Sequence, residues 1–241
     1  MPSFVLTDIR EYIFPLFMVE ATDNTVSLES RQFLGTAFFV SKLGDAITAD
    51  HVLPKPNDIP QGKRVVAIVQ FENKEKVCWV LSVASFVEYD LAFFKVNIEG
   101  TKYLELTDDE ILPGEDVNLV GMPNHEVWLS GKETRLLKGH VTMVAKQLEL
   151  NFQIPAGMSG SPMFFNGKVA AYATGTIKSE EVEDYSEEEE IIANDKGQIR
   201  ITKTIRVTQY GMAYPFSKLK GIVSPIFDDL TLIQFVQKRN S

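Results

Sequence analysis

Gly157-Met158-Ser159-Gly160-Ser161-Pro162 is the stretch on which the reading of this chain turns. Two glycines bracket a serine, a proline closes the turn, and Met163-Phe164-Phe165 follows as an apolar run. Glycine tolerates positive φ and close approach, so such a turn can lift a hydroxyl clear of the backbone. It can also leave backbone N–H groups aimed at the same space, as a nucleophile with an oxyanion hole requires. Glycine, serine and proline also build ordinary turns. The rest of the chain must therefore supply a base and an orienting acid before the serine reads as a nucleophile.

The sequences flanking this turn read as short strands. Leu136–Val144, Gln147–Phe152, Met163–Phe165, Lys168–Thr174 and Ile205–Tyr214 are β-rich runs separated by turn residues. Upstream, Tyr12–Val19, Phe33–Val40, Ala46–Ala49, Arg64–Phe71, Lys76–Val87, Leu91–Val96 and Asp116–Gly121 read the same way. Thr22–Arg31 reads as a polar loop, and the prolines 54, 56 and 60 mark an irregular connection. Short strands at close spacing predict an all-β sandwich or barrel pair. The polar stretch Asn97–Gly114 reads as the connection between two halves. One helix is expected near the end, capped at Ser224-Pro225 and packed on the second half.

The chain has 241 residues, 44% of them hydrophobic, enough for one large domain or two fused small barrels. A formal net charge of −9 disfavours nucleic-acid or anionic-membrane binding. No apolar run is long enough to span a membrane. The single cysteine, Cys78, excludes an internal disulfide framework and fits a reducing compartment. No leader pattern opens Met1-Pro2-Ser3-Phe4, so the expected location is cytoplasmic. Ser179–Glu190 is strongly acidic and reads as a solvated loop.

Three histidines are candidates for the base: His51, His125 and His140. His51 closes a strand-like run, Ile47-Thr48-Ala49-Asp50-His51-Val52. Asp90 opens Asp90-Leu91-Ala92-Phe93-Phe94, and the order His51, Asp90, Ser159 has gaps of 39 and 69 residues. Histidine can remove the serine proton near neutral pH, and a carboxylate fixes its tautomer.

Gly35-Thr36-Ala37-Phe38-Phe39-Val40, Thr48-Ala49-Asp50-His51-Val52, Asp90-Leu91-Ala92 and the serine turn resemble the signatures of trypsin-like serine proteases. They are most similar to the HtrA-like branch, and Gly211-Met212-Ala213-Tyr214-Pro215 resembles its final barrel strand. The resemblance implies an all-β, chymotrypsin-like fold of two six-stranded antiparallel β-barrels with a C-terminal helix. The whole of 1–241 would be one peptidase domain: a first barrel over 12–100, a second over 113–217 and a helix over 224–239. No PDZ-like domain is expected after Pro215.

By the same resemblance Ser159 is the nucleophile, His51 the base and Asp90 the orienting acid. The N–H groups of Gly157 and Ser159 form the oxyanion hole. Gln153, Ala156, Ala173, Thr174 and Gly175 line a substrate pocket suited to a small or mid-sized neutral side chain, with Gln153 available to a polar one. No cofactor is needed, and the histidine spacing suggests no metal.

Departures from the family pattern stand beside these matches. Met158 occupies the position of an Asn or Asp, which makes activation by a freshly cut N-terminus unexpected. Ser161 replaces a second glycine. Asp50 sits where alanine is usual and would raise the His51 pKa if it points inward. Each feature also has a plainer reading: Cys78 as a packed core thiol, His125 in a turn and His140 in a strand, the acidic run as solvated surface. The expectation is a serine endopeptidase acting on protein or peptide substrates, with the acidic segment bordering the cleft as substrate selector or gate. The alternative is a protease-fold binding or regulatory module, latent until a regulatory protein partner assembles it.

Overall fold

A computed structural model describes residues 9–22, 25–123, 134–181, 188–189, 200–201 and 206–241. Two closed antiparallel barrels of six strands each make up the body. The first contains β1 (Ile13–Ala21), β2 (Val26–Phe39), β3 (Asp45–Ala49), β4 (Lys63–Phe71), β5 (Lys74–Phe86) and β6 (Leu91–Val96), paired around the barrel as β1-β2-β3-β6-β5-β4. The second contains β7 (Asp116–Gly121), β8 (Arg135–Val144), β9 (Leu148–Leu150), β10 (Pro162–Phe165), β11 (Lys168–Glu181) and, near the end, β14 (Arg206–Pro215), paired as β10-β11-β14-β9-β8-β7. Two short pairs lie outside the barrels: β12 (Glu188–Glu189) with β13 (Arg200–Ile201), and β15 (Val223–Ser224) with β16 (Leu230–Thr231). A nine-residue helix, α1 (Leu232–Asn240), follows.

Unbroken apolar runs in the sequence become strands buried on both faces. Side chains alternate along a strand, so neighbours serve different cores. Phe14, Phe39 and Phe94 fill the first barrel, and the Phe14 and Phe39 rings meet tilted, 4.4 Å between centroids. Their neighbours Ile13, Phe38 and Phe93 point outward into a cluster shared with Tyr172, Tyr214 and Phe216 of the second barrel. Ala171 and Ala173 face the interior of the second barrel while Tyr172, between them, faces the shared cluster.

Several elements depart from the expected bounds. Val26–Arg31 was expected as loop, but it forms the start of β2, because Glu20↔Ser27 and Ala21↔Val26 pair it to β1. Backbone hydrogen bonds do not require an apolar side chain, so polar residues there hide the strand. Glu72 and Asn73 form a tight two-residue hairpin turn, with φ of 50 and 62. β11 runs past Thr174 to Glu181 and pairs with β14 as far as Glu181↔Arg206. The opening of the acidic run is therefore strand, and Glu188–Glu189 is also paired. The remainder of the acidic run lies outside the described residues.

The helix expected over 224–239 begins eight residues later. Ser224 does cap, accepting from the Ile226 N–H at 3.2 Å, but it caps a single 3₁₀ turn, Pro225–Phe227. Asp228 and Asp229 then take left-handed backbone, φ 55 and 56, and end it. The helix proper starts at a capping box in which Thr231 Oγ1 accepts from Gln234 N–H and Gln234 Oε1 accepts from Thr231 N–H. It packs back on the first barrel, not the second alone. Phe235 meets Phe93 at 5.7 Å, and the Asn240 amide donates to Val40 O at 2.9 Å. The apolar stripe revealed that the helix packs, but not against what.

Candidate active site

β3 and β6 pair with Ala49 opposite Leu91, so the residues just beyond them emerge side by side. His51 lies in a one-turn 3₁₀ helix, Asp50–Val52, after β3. Asp90 immediately precedes β6 in left-handed backbone, φ 51, ending the 3₁₀ turn Val87–Tyr89. The Asp50 N–H donates to Asp90 O at 2.9 Å and joins the two turns. The Asp90 carboxylate then receives two donors: the His51 backbone N–H at 3.0 Å, and the His51 ring at Nδ1, 2.8 Å from Oδ2.

This contact fixes the imidazole orientation through Nδ1 and leaves Nε2 as the ring nitrogen that Asp90 does not engage. The hydrogen bond that His51 gives to Asp90 pushes the His51 pKa above its ordinary value; burial opposes the rise, and the charges of Asp90 and Asp50 reinforce it. Asp50 is itself oriented by the Ser85 hydroxyl, which donates to its carboxylate.

The serine turn comes from the loop between β9 and β10. Two overlapping turns shape it: Met158 N–H donates to Pro155 O at 3.1 Å and Ser161 N–H to Met158 O at 3.0 Å. Both barrels hold it. From the first, Thr36 N–H donates to Ser159 O at 3.0 Å and Thr36 Oγ1 to Gly157 O at 2.9 Å. From the second, Gly160 N–H donates to Ala173 O at 2.8 Å and Ala173 N–H to Ser161 O at 2.9 Å. Gly160 has φ +83, and a Cβ there would collide with Thr48 Oγ1 and Thr36 O. The glycine after the serine is thus required twice, by its backbone angle and by its packing.

The N–H groups of Gly157 and Ser159 donate to no acceptor among the described residues. Likewise, no hydrogen bond joins the Ser159 hydroxyl to His51 among them. The structure therefore pairs two of the three expected catalytic side chains, and anchors the third by its backbone to Thr36, in the same barrel as His51.

Met158 is fully buried in the core of the second barrel, with Ile154 and Met163 in the same cluster. An apolar side chain here anchors the turn by packing, in place of an ion pair.

The pocket residues divide. Gln153 and Ala156 are exposed, and Thr174 and Gly175 are half-buried. Ala173 is fully buried with its methyl group in the barrel core, a consequence of strand alternation, so only its backbone serves this region. Thr176, outside the expected set, joins the two walls: its hydroxyl accepts from Ile154 N–H at 3.0 Å and donates to Ile154 O at 2.9 Å. The Ile154 side chain lies over Gly211, where an added Cβ would fall 2.8 Å from its Cγ1. These walls carry no charged side chain.

His125 lies outside the described residues. His140 is a strand residue whose N–H donates to Asn151 Oδ1 at 2.8 Å. Among the described residues no group of three His, Cys, Asp or Glu side chains is arranged to hold a metal. The Cys78 thiol is buried in the first barrel, which raises its pKa and keeps it protonated. No helix among the described residues is long and apolar enough to cross a membrane.

A family profile for the trypsin-like peptidase domain matches residues 35–171. No curated protein matches the chain at a significant level. Among solved structures the chain is similar to the Rv3671c protease from M. tuberculosis in its active form: TM-score 0.58, 14% identity, 90% of this chain and 82% of that one. It is similar to Deg5, with TM-score 0.56 and 19% identity over 70% of this chain and 82% of that one. It is also similar to the HtrA-type protease AlgW with a decapeptide, with TM-score 0.54 and 16% identity over 86% of this chain. The chain spans 61% of the AlgW chain. At these identities the likeness is one of fold.

Proposed function

The chain belongs to the trypsin-like peptidase domain family, and from that premise we propose that it is a serine endopeptidase whose triad is Ser159, His51 and Asp90. The observation that carries the proposal is the doubly held Asp90 carboxylate on His51 Nδ1, in the barrel whose Thr36 grips the serine turn. With Nδ1–H given to Asp90, Nε2 holds the free lone pair and acts as base toward the Ser159 hydroxyl. The serine oxygen attacks the scissile carbonyl, and the oxyanion is received by the N–H groups of Gly157 and Ser159. Each such donor contributes on the order of 10²–10³ in rate. His51 returns the proton to the leaving amine, leaving an acyl-enzyme that water hydrolyses with the same histidine as base. Every proton transfer is covered by these groups, so the mechanism calls for no cofactor.

Substrates in this reading are proteins or peptides. Exposed Gln153 and Ala156 and half-buried Thr174 and Gly175, on segments joined by the Thr176–Ile154 hydrogen bonds, support a neutral pocket for a small side chain. The reducing, cytoplasmic location expected from the lone cysteine is part of the proposal.

A second reading is favoured by one observation, the missing hydrogen bond between Ser159 and His51. In it the site is latent until a regulatory partner, acting through the acidic segment, draws the serine onto Nε2. Labelling with a fluorophosphonate probe separates the two. Labelling that disappears in both Ser159→Ala and His51→Ala supports the competent enzyme. Labelling only after a partner is added supports latency, and labelling that persists in Ser159→Ala rejects the serine assignment.

A further inference from the structure

We propose that Tyr172 is a positioning residue of the active site, whose hydroxyl holds the Asp90-bearing turn of the first barrel against the strand of the second barrel that grips the serine turn. The inference rests on the triad proposed above. Tyr172 is fully buried, and its hydroxyl donates to Tyr89 O at 2.6 Å, across 83 residues of sequence. Tyr89 is the residue before Asp90. On the other side of Tyr172, Ala173 is bonded through both backbone groups to Gly160 and Ser161, which flank and follow Ser159. One dipeptide, Tyr172-Ala173, therefore touches the acid turn and the serine turn together.

The contact is built into the packing around it. Strand alternation sends Ala171 and Ala173 into the second barrel and leaves Tyr172 facing the first. Its ring stacks on Tyr214 at 6.0 Å and tilts against Phe216 at 5.4 Å. Tyr89 in turn sets its ring edge to face with Tyr214 at 5.8 Å. Three tyrosines thus clamp one turn to two strands.

The turn needs such a clamp. Asp90 holds left-handed backbone, φ 51, a conformation disfavoured for residues that carry a Cβ and retained only where surroundings enforce it. Within the first barrel, Asp90 N–H is bonded to Val87 O and Asp90 O to the Asp50 N–H. The Tyr89 carbonyl, in the same peptide unit as the Asp90 N–H, is bonded across the barrel interface. Loss of that bond leaves a partly buried carbonyl without its partner, a state the turn relieves by rotating. Rotation there moves the carboxylate that fixes His51. The ionisable groups that act on this region are Asp90, Asp50, Glu88, Tyr89 and Tyr214, and burial keeps the Tyr172 phenol protonated and a donor.

The test compares Tyr172→Phe with Phe216→Leu, which loosens the same cluster without touching the hydroxyl. Four quantities are read on the full chain: thermal stability, kcat and KM on a peptide substrate, and the His51 titration by NMR. For Tyr172→Phe the expected result is a kcat lower by about tenfold with KM within about twofold. Its His51 pKa should fall toward 6.5 as the Asp90 contact loosens. Phe216→Leu should lose comparable stability yet retain both kcat and the His51 titration. A Tyr172→Phe protein with wild-type kcat and titration overturns the inference. So does a Phe216→Leu protein that reproduces both changes. The titration is read without turnover, so a wild-type chain that neither labels nor cleaves rejects the proposed function while Tyr172 is still judged on His51.

Discussion

Asp50 stands one residue from the proposed base and adds to the upward push that Asp90 gives its pKa. Under the mechanism above, kcat/KM falls as pH drops through the His51 pKa, because only the neutral imidazole accepts a proton. That pKa is raised by Asp90 and by Asp50, so the acid limb of the profile is expected above 6.5. Asp50→Asn removes one of the raising charges and should move the limb to lower pH; a limb that stays put would remove Asp50 from the account. Thr174, half-buried in the expected pocket wall, is the residue to test for the pocket. Thr174→Ala removes a hydroxyl that donates to Met212 O at 3.2 Å and should admit larger side chains before the scissile bond, read from a library of peptide substrates, at a stability cost of about 0.5–1.5 kcal/mol. An unchanged preference would place the pocket elsewhere. Met158 is tested by charge. Met158→Asp buries a carboxylate without a partner and should cost about 3–5 kcal/mol in denaturant unfolding, whereas Met158→Leu should cost less than about 1.5. Equal losses would show that the side chain is not packed as described. At this scale the motifs around His51, Asp90 and Ser159 were legible because each is a short run of local sequence. Tyr172, Thr176 and the inward turn of Ala173 were not. What they do depends on which face of a strand meets which neighbour.

At the scale of elements, apolar runs marked most strands, while their ends were hidden by composition. β2 begins among polar residues and β11 continues into acidic ones, since a ladder is closed by backbone groups that every residue carries. The terminal helix shows the opposite error. Ser224-Pro225 has the chemistry of a helix start, and a 3₁₀ turn does start there. The two left-handed aspartates that stop it carry no sequence signal strong enough to outweigh the cap. The observed helix is tied to the first barrel through Phe235, which touches Phe93 and Phe227 and is 3% exposed. Phe235→Ala should cost about 3–5 kcal/mol, measured by chemical denaturation. A loss under about 1 kcal/mol would mean that the helix is only loosely attached.

For the whole molecule, the shared cluster decides how the barrels behave together. It joins Ile13, Phe38 and Phe93 of the first barrel to Tyr172, Tyr214 and Phe216 of the second, and the helix to both. Because the interface is a continuation of the core, the barrels should unfold in one cooperative transition, with calorimetric and van't Hoff enthalpies in agreement. Two resolved transitions would show that the cluster does not couple them. The sequence by itself determined the class of the fold and the family, and it marked the residues of the proposed site, since strand patterning, turn chemistry and colinear motifs are all local. The tertiary structure decided what those residues face. It set Asp90 on His51 through the β3–β6 register and gripped the serine turn from both barrels. It also buried Met158, sent the helix back to the first barrel and carried the Tyr172 hydroxyl to Tyr89. Each of these joins residues tens of positions apart, and such contacts follow from barrel closure and from the packing of one barrel on the other, which no local stretch of sequence specifies.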